Sequence, residues 1–77
     1  MDPATLLREY NAALHEARWR SELQGIGEDF WFRHGDRPKC ADLIYQAHID
    51  RILGLSSPAA CDEALSRAIQ EIAHGRS

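Results

Sequence analysis

Residues 56–75 read SSPAACDEALSRAIQEIAHG and contain the clearest amphipathic pattern in the chain. Ser57 takes a capping position, and Pro58 follows in the first helical position, where its missing N–H leaves no hydrogen bond unmade. Gly75 ends the pattern, as glycine commonly does after a helix. Between these signals, apolar residues recur at helical spacing along one stripe, namely Cys61, Leu65, Ala68, Ile69 and Ile72. The stretch therefore predicts a helix that buries one face against other helices.

The region before residue 28 predicts a first long helix. Asp2 caps this helix and Pro3 opens it, by the same logic as in the last helix. Apolar side chains then repeat every three or four residues up to about Gln24. Gly25 and Gly27 follow and are expected to break the helix, because glycine is a poor helix former.

Residues 28–35 form a compact segment, Glu-Asp-Phe-Trp-Phe-Arg-His-Gly. Its acids come first, its bases come last and a glycine closes it, which is the charge order that a helix macrodipole favours. One or two helical turns are therefore expected here. A short strand is the alternative, because Phe30 and Phe32 alternate around Trp31, but such a strand has no obvious partner.

Pro38 opens another helix, which runs to about Leu53 and is stopped by Gly54. Taken together, the segments predict an all-α fold, a small bundle of three main helices plus a short connecting helix. No internal repeat or linker divides the chain, and 77 residues rarely hold more than one hydrophobic core. We therefore expect residues 1–77 to form a single helical domain.

The composition excludes several classes of function. Nine Lys and Arg stand against twelve Asp and Glu, and the net charge of −3 disfavours nucleic acid as a partner. No apolar run approaches the ~20 residues of a membrane helix, and no signal peptide is visible, so we expect a cytoplasmic protein without membrane contact. Cys40 and Cys61 fall within helical patterns, where reduced thiols pack as small apolar groups.

No group of residues has the spacing of a catalytic or metal site. Cys40, His48, Cys61 and His74 are separated by wide intervals, whereas tetrahedral zinc sites usually take paired ligands from short turns. Cys61 lies near a helix N-terminus, which favours a thiolate, but its place on the apolar stripe predicts packing instead. The sequence therefore predicts no enzyme activity, no metal and no cofactor.

His48 is a polar residue within an apolar face of the helix that follows Pro38. The face also carries Ala41, Ile44, Tyr45 and Ile52. A histidine in this position is either a core or interface residue with a hydrogen-bonded ring nitrogen, or a pH-sensitive contact. The sequence leaves both interpretations open.

The chain carries more apolar surface than a three-helix core can easily absorb. Trp19 lies opposite the main stripe of the first helix, and three further rings follow within one short segment. Aromatic residues and arginine dominate the binding energy of protein interfaces. The predicted protein-binding residues are Arg18, Trp19, Arg20, Leu23, Phe30, Trp31, Phe32 and Arg33. The alternative is that the rings pack on one another and complete the core of a monomer.

These observations predict a non-catalytic protein-interaction module, an adaptor or inhibitor that binds a larger protein partner and that also forms a homodimer. The alternative is a helix-turn-helix-like DNA-binding regulator that uses the last two helices. The expected recognition helix places Asp62 and Glu63 where phosphates would approach, and Arg67 is its one cation. Its charge therefore disfavours this alternative.

Overall fold

The computed structural model describes residues 2–75, which fold into a bundle of four α-helices. These are α1 (Pro3–Leu14), α2 (Arg20–His34), α3 (Ala41–Ile52) and α4 (Pro58–Ala73). No residue within the described range belongs to a strand. The prediction of an all-α small bundle is confirmed.

Some of the helix boundaries predicted from capping residues, prolines and glycines are found in the structure, but Pro38 does not open the third helix, which begins at Ala41. The Asp2 carboxylate accepts a hydrogen bond from the Thr5 N–H at 3.2 Å and so caps α1. Pro58 opens α4. Gly35 follows α2 with φ +108°, and Gly54 lies just beyond α3 with φ +77°. Glycine adopts such positive φ values without the steric cost that a Cβ atom brings.

The first helix is shorter, and the connecting helix longer, than the sequence predicts. α1 ends at Leu14 rather than near Gln24, and α2 begins at Arg20. Gly25 and Gly27 lie inside α2 instead of breaking a helix. No glycine or proline marks the turn between α1 and α2, so the local pattern does not reveal it.

A side chain from α3 holds the end of α1. The Arg51 Nη2 group donates hydrogen bonds to the carbonyl oxygens of Leu14 and Ala17, at 3.1 and 3.0 Å. The last carbonyls of a helix have no partner within their own helix, and Arg51 supplies one. Gly27 is buried close to two tyrosine side chains, so tertiary packing overrides its low helix propensity.

α1 and α3 form the centre of the bundle, because each packs against all three of the other helices. α2 packs on α1 and α3, while α3 and α4 form the most extensive pair. None of the helices described is long and apolar enough to cross a membrane. The fully buried side chains come from all four helices and include Leu7, Tyr10, Leu14, Leu23, Ile44 and Cys61.

Candidate protein-binding surface and a buried polar network

Two aromatic side chains of the predicted set remain exposed to solvent. Phe32, near the end of α2, is 90% exposed, and Trp19, which precedes α2, is 67% exposed. Burying a phenyl ring stabilises a fold or a complex by about 1.5 to 3 kcal/mol. The isolated chain does not gain this free energy from either ring, and both rings can contact another molecule.

The other apolar residues of the predicted set belong to the core. Leu23 is fully buried and Trp31 is 8% exposed, and the half-buried Phe30 packs against the same core. The Phe30 ring lies T-shaped on Trp31, with ring centroids 5.0 Å apart. α2 turns Leu23 and Trp31, which the sequence predicts as partner contacts, towards the core of the monomer. Their contact with a partner stays a prediction.

The three predicted arginines lie on the surface. Arg18, Arg20 and Arg33 are exposed. Arg18 and Arg20 flank the exposed Trp19 in the chain. Arg33 follows the exposed Phe32, and its Nε atom pairs with the Asp29 carboxylate at 3.2 Å.

Phe32 stands at the edge of a groove lined by residues of α1, α2 and α3. The groove has a volume of about 520 Å³, which is within the range of sites that bind a ligand or a partner side chain. Its walls combine aromatic rings with a few polar groups. The lining residues are Tyr10, Gln24, Gly27, Glu28, Trp31, Phe32, Arg37 and Tyr45. We refer to this feature as the aromatic groove.

Sequence reasoning missed most of the aromatic groove. Tyr10 and Tyr45 fall on helical stripes that predict a core position, and Arg37 lies between helices, where no spacing rule connects it with α2. Arg37 forms an ion pair with Asp42. Burial raises the pKa of Tyr10 to about 12, so its hydroxyl stays neutral in the floor of the groove.

A second unusual feature is a buried polar network that joins α1, α3 and α4. His48 is fully buried, and Asn11 is 5% exposed. Arg51 Nε donates to His48 Nδ1 at 3.2 Å. A guanidinium can only donate, so Nδ1 must accept and the ring proton lies on Nε2, which is 2.8 Å from Asn11 Oδ1. Asn11 Nδ2 in turn donates to Asp62 Oδ1 at 3.1 Å.

The surroundings of His48 keep its ring neutral over a wide pH range. The pKa of His48 falls from 6.5 to about 4, mainly because burial disfavours the charged ring. His15 and Arg51 also lower it, whereas Asp62 opposes them. The interpretation of His48 as a core residue with a hydrogen-bonded ring nitrogen is confirmed, and in fact both ring nitrogens are bonded.

His15 and Cys61 complete a His–Cys cluster around His48. The His15 ring lies T-shaped on that of His48, with centroids 4.5 Å apart. One donor atom from each of His15, His48 and Cys61 lies within 4.8 Å of the others. The sequence analysis rejected a metal site that includes His48 and Cys61 because of their wide spacing, but their meeting depends on how α3 and α4 pack.

Comparison with protein-family models, with curated proteins and with solved structures finds no match to this chain. Neither a family nor a known fold therefore assigns a role to the surface or to the network. Both features are interpreted from their own chemistry, since function resides in sites rather than in folds.

Proposed function

We propose that this chain is a non-catalytic protein-interaction module, an adaptor or inhibitor that covers a surface of a larger protein. The observation that carries the proposal is the 90% exposure of Phe32 at the edge of the aromatic groove. A chain of this size has few large apolar side chains with which to build a core. A phenyl ring left in water beside a groove is best explained by a second molecule that covers it.

The chemistry of the surface supports a protein rather than a small polar ligand. Phe32, Trp31 and Tyr45 contribute rings to the groove, and Glu28 and Arg37 add charges of both signs at its walls. An apolar centre with a polar rim is the usual anatomy of a protein interface. An apolar side chain of the partner would fill the groove beside Phe32.

Trp19 provides a second contact at the start of α2. Its exposed indole is flanked by Arg18 and Arg20, and these residue types often contribute about 2 kcal/mol or more as interface anchors. The net charge of −3 favours a partner with a basic surface. Cys40 and Cys61 are buried free thiols, which suit the reducing cytoplasm where we place this function.

Affinity capture from an extract of the cells that make this protein tests the proposal. The full-length chain serves as bait and is compared with Phe32→Ala. Leu55→Ala is the matched control, because Leu55 is 73% exposed but lies in the turn between α3 and α4. We expect one protein to be retained equally by the wild type and Leu55→Ala, and to be reduced about tenfold or more with Phe32→Ala. Equal recovery with all three baits would contradict the proposal.

We also propose that the same surface can bind a second copy of this chain and form a homodimer. Light scattering of the wild type over a range of concentrations tests it. Phe32→Ala and Trp19→Ala are expected to shift the equilibrium towards the monomer. Trp31→Ala should instead lower the melting temperature, because Trp31 lies in the core. A wild type that stays monomeric at every concentration would contradict the homodimer.

No feature of the described residues specifically favours the alternative of a DNA-binding regulator. The first turns of α4 expose Asp62 and Glu63, which would repel the phosphates of a duplex. Titration with duplex DNA at two salt concentrations separates the two functions. Binding that weakens steeply with salt would favour the DNA-binding regulator over the interaction module.

A further inference from the structure

The His–Cys cluster has the composition of a transition-metal site. His15 follows α1, His48 lies in α3 and Cys61 lies in α4, and their donor atoms are within 4.8 Å of one another. In a tetrahedral zinc site, donor atoms are separated by about 3.3 to 3.8 Å, given Zn–N and Zn–S lengths of about 2.0 and 2.3 Å. A closure of roughly 1 Å would therefore bring the three donors into coordinating positions.

We propose that the cluster binds one Zn²⁺ ion through His15, His48 and Cys61, with the fourth coordination position open to a water molecule. Nitrogen and thiolate donors are those that zinc prefers, and three protein ligands plus one water molecule are a common arrangement. Asp62 Oδ1 lies 3.6 Å from His15 Nε2. The Asp62 carboxylate therefore lies beside the cluster and adds negative charge there.

The hydrogen bonds of His48 fit a metal-bound ring. A metal-bound histidine usually donates its free ring N–H to an oxygen atom, and His48 Nε2 already donates to Asn11 Oδ1. Coordination through Nδ1 preserves this bond. Coordination at Nδ1 would replace the hydrogen bond that Nδ1 accepts from Arg51 Nε in the structure. The Arg51 hydrogen bonds to the carbonyl oxygens at the end of α1 use a different nitrogen and can persist.

Charge and access set the conditions for binding. Burial raises the pKa of the Cys61 thiol, and the Arg51 guanidinium opposes part of this rise. Binding near neutral pH therefore releases the thiol proton. The thiolate and the Asp62 carboxylate then balance the two charges of the ion. The side chain of His15 is 33% exposed, so the ion can reach the cluster from solvent.

Titration of the reduced full-length protein with Co²⁺ tests the proposal, because cobalt replaces zinc in such sites and is visible by absorption. We expect one equivalent to give the bands of tetrahedral cobalt and a thiolate-to-cobalt charge-transfer band. Zn²⁺ should displace the cobalt, and a chelator should remove it. Cys61→Ser should abolish the charge-transfer band. Cys40→Ser, at the other buried free thiol, should retain it.

His15→Ala is the ligand variant least able to disturb the fold, because His15 lies on the surface. It should weaken Zn²⁺ binding about tenfold or more, whereas His34→Ala, at an exposed histidine of α2, should leave binding unchanged. Circular dichroism should report wild-type helix content for both variants. The site is refuted if the wild type gives no cobalt spectrum, or if its charge-transfer band survives Cys61→Ser or its affinity survives His15→Ala.

Discussion

The buried polar network and the exposed rings beside α2 are opposite departures from the usual distribution of side chains. In the network, His48 and Asn11 lie inside the fold, but each finds hydrogen-bond partners within the chain. At α2, Phe32 and Trp19 lie outside and are left uncovered by the residues described. A satisfied polar group is explained by the structure that surrounds it, whereas the exposed rings are the observation from which we propose a partner.

The largest expected effect is on the network and comes from His48→Leu. The substitution leaves the buried Asn11 Oδ1 and the Arg51 Nε group without their partner. We expect the free energy of unfolding to fall by about 3 kcal/mol, measured by urea denaturation with a chelator present. Unchanged or raised stability would mean that the imidazole only fills space and that the network contributes little.

The second expected effect is a dependence on pH that only the network should produce. The pKa of His48 is near 6.5 in an unfolded chain and about 4 in the folded protein. Between these values the unfolded state binds more protons than the folded state. The contribution of neutral His48 to the free energy of unfolding is therefore full above about pH 6.5 and is lost as the pH falls towards 4. The loss should be about 2 to 3 kcal/mol in chelator-treated protein. An equal loss in His48→Leu would assign the proton uptake to other groups.

Arg51→Met tests how strongly the network is tied to the helix ends. The variant removes the donors to the Leu14 and Ala17 carbonyl oxygens and to His48 Nδ1. We expect a loss of about 2 kcal/mol in the free energy of unfolding, since methionine retains much of the apolar stem. Gln46→Ala is a suitable control, because Gln46 is an exposed residue of the same helix. If both variants lose the same stability, the helix-end contacts have no special role.

The smallest expected effect on stability is at the exposed rings. Phe32→Ala should change the free energy of unfolding by less than about 0.5 kcal/mol, because the ring is 90% exposed. The same variant should weaken partner binding, so Phe32→Ala should change binding without changing the stability of the fold. A loss of stability as large as that of His48→Leu would show that Phe32 supports the fold.

Helix ends were predictable from sequence where the signal is local. The carboxylate of Asp2, the ring of Pro58 and the freedom of Gly54 act within a few residues of their own position, so a pattern reveals them. The turn after Leu14 is hydrogen-bonded by Arg51, which lies in another helix. No rule based on neighbouring residues contains this information.

The candidate surface was predictable only in part, for a related reason. Trp31 and Phe32 are adjacent aromatic residues with similar propensities, and the sequence assigned both to one interface. Adjacent positions on a helix point about 100° apart, so when α2 packs on α1 and α3 one ring enters the core and the other faces solvent. The His–Cys cluster also required the packing of helices that are distant in sequence.

The contact of Arg51 with the end of α1 bears on the order in which a newly made chain takes its shape. During synthesis the first two helices leave the ribosome before the third exists. Until that third segment arrives, the carbonyl oxygens of Leu14 and Ala17 lack the donor that Arg51 supplies. The hydrogen bonds of Arg51 to the turn between α1 and α2 can therefore form only after both of those helices have been made.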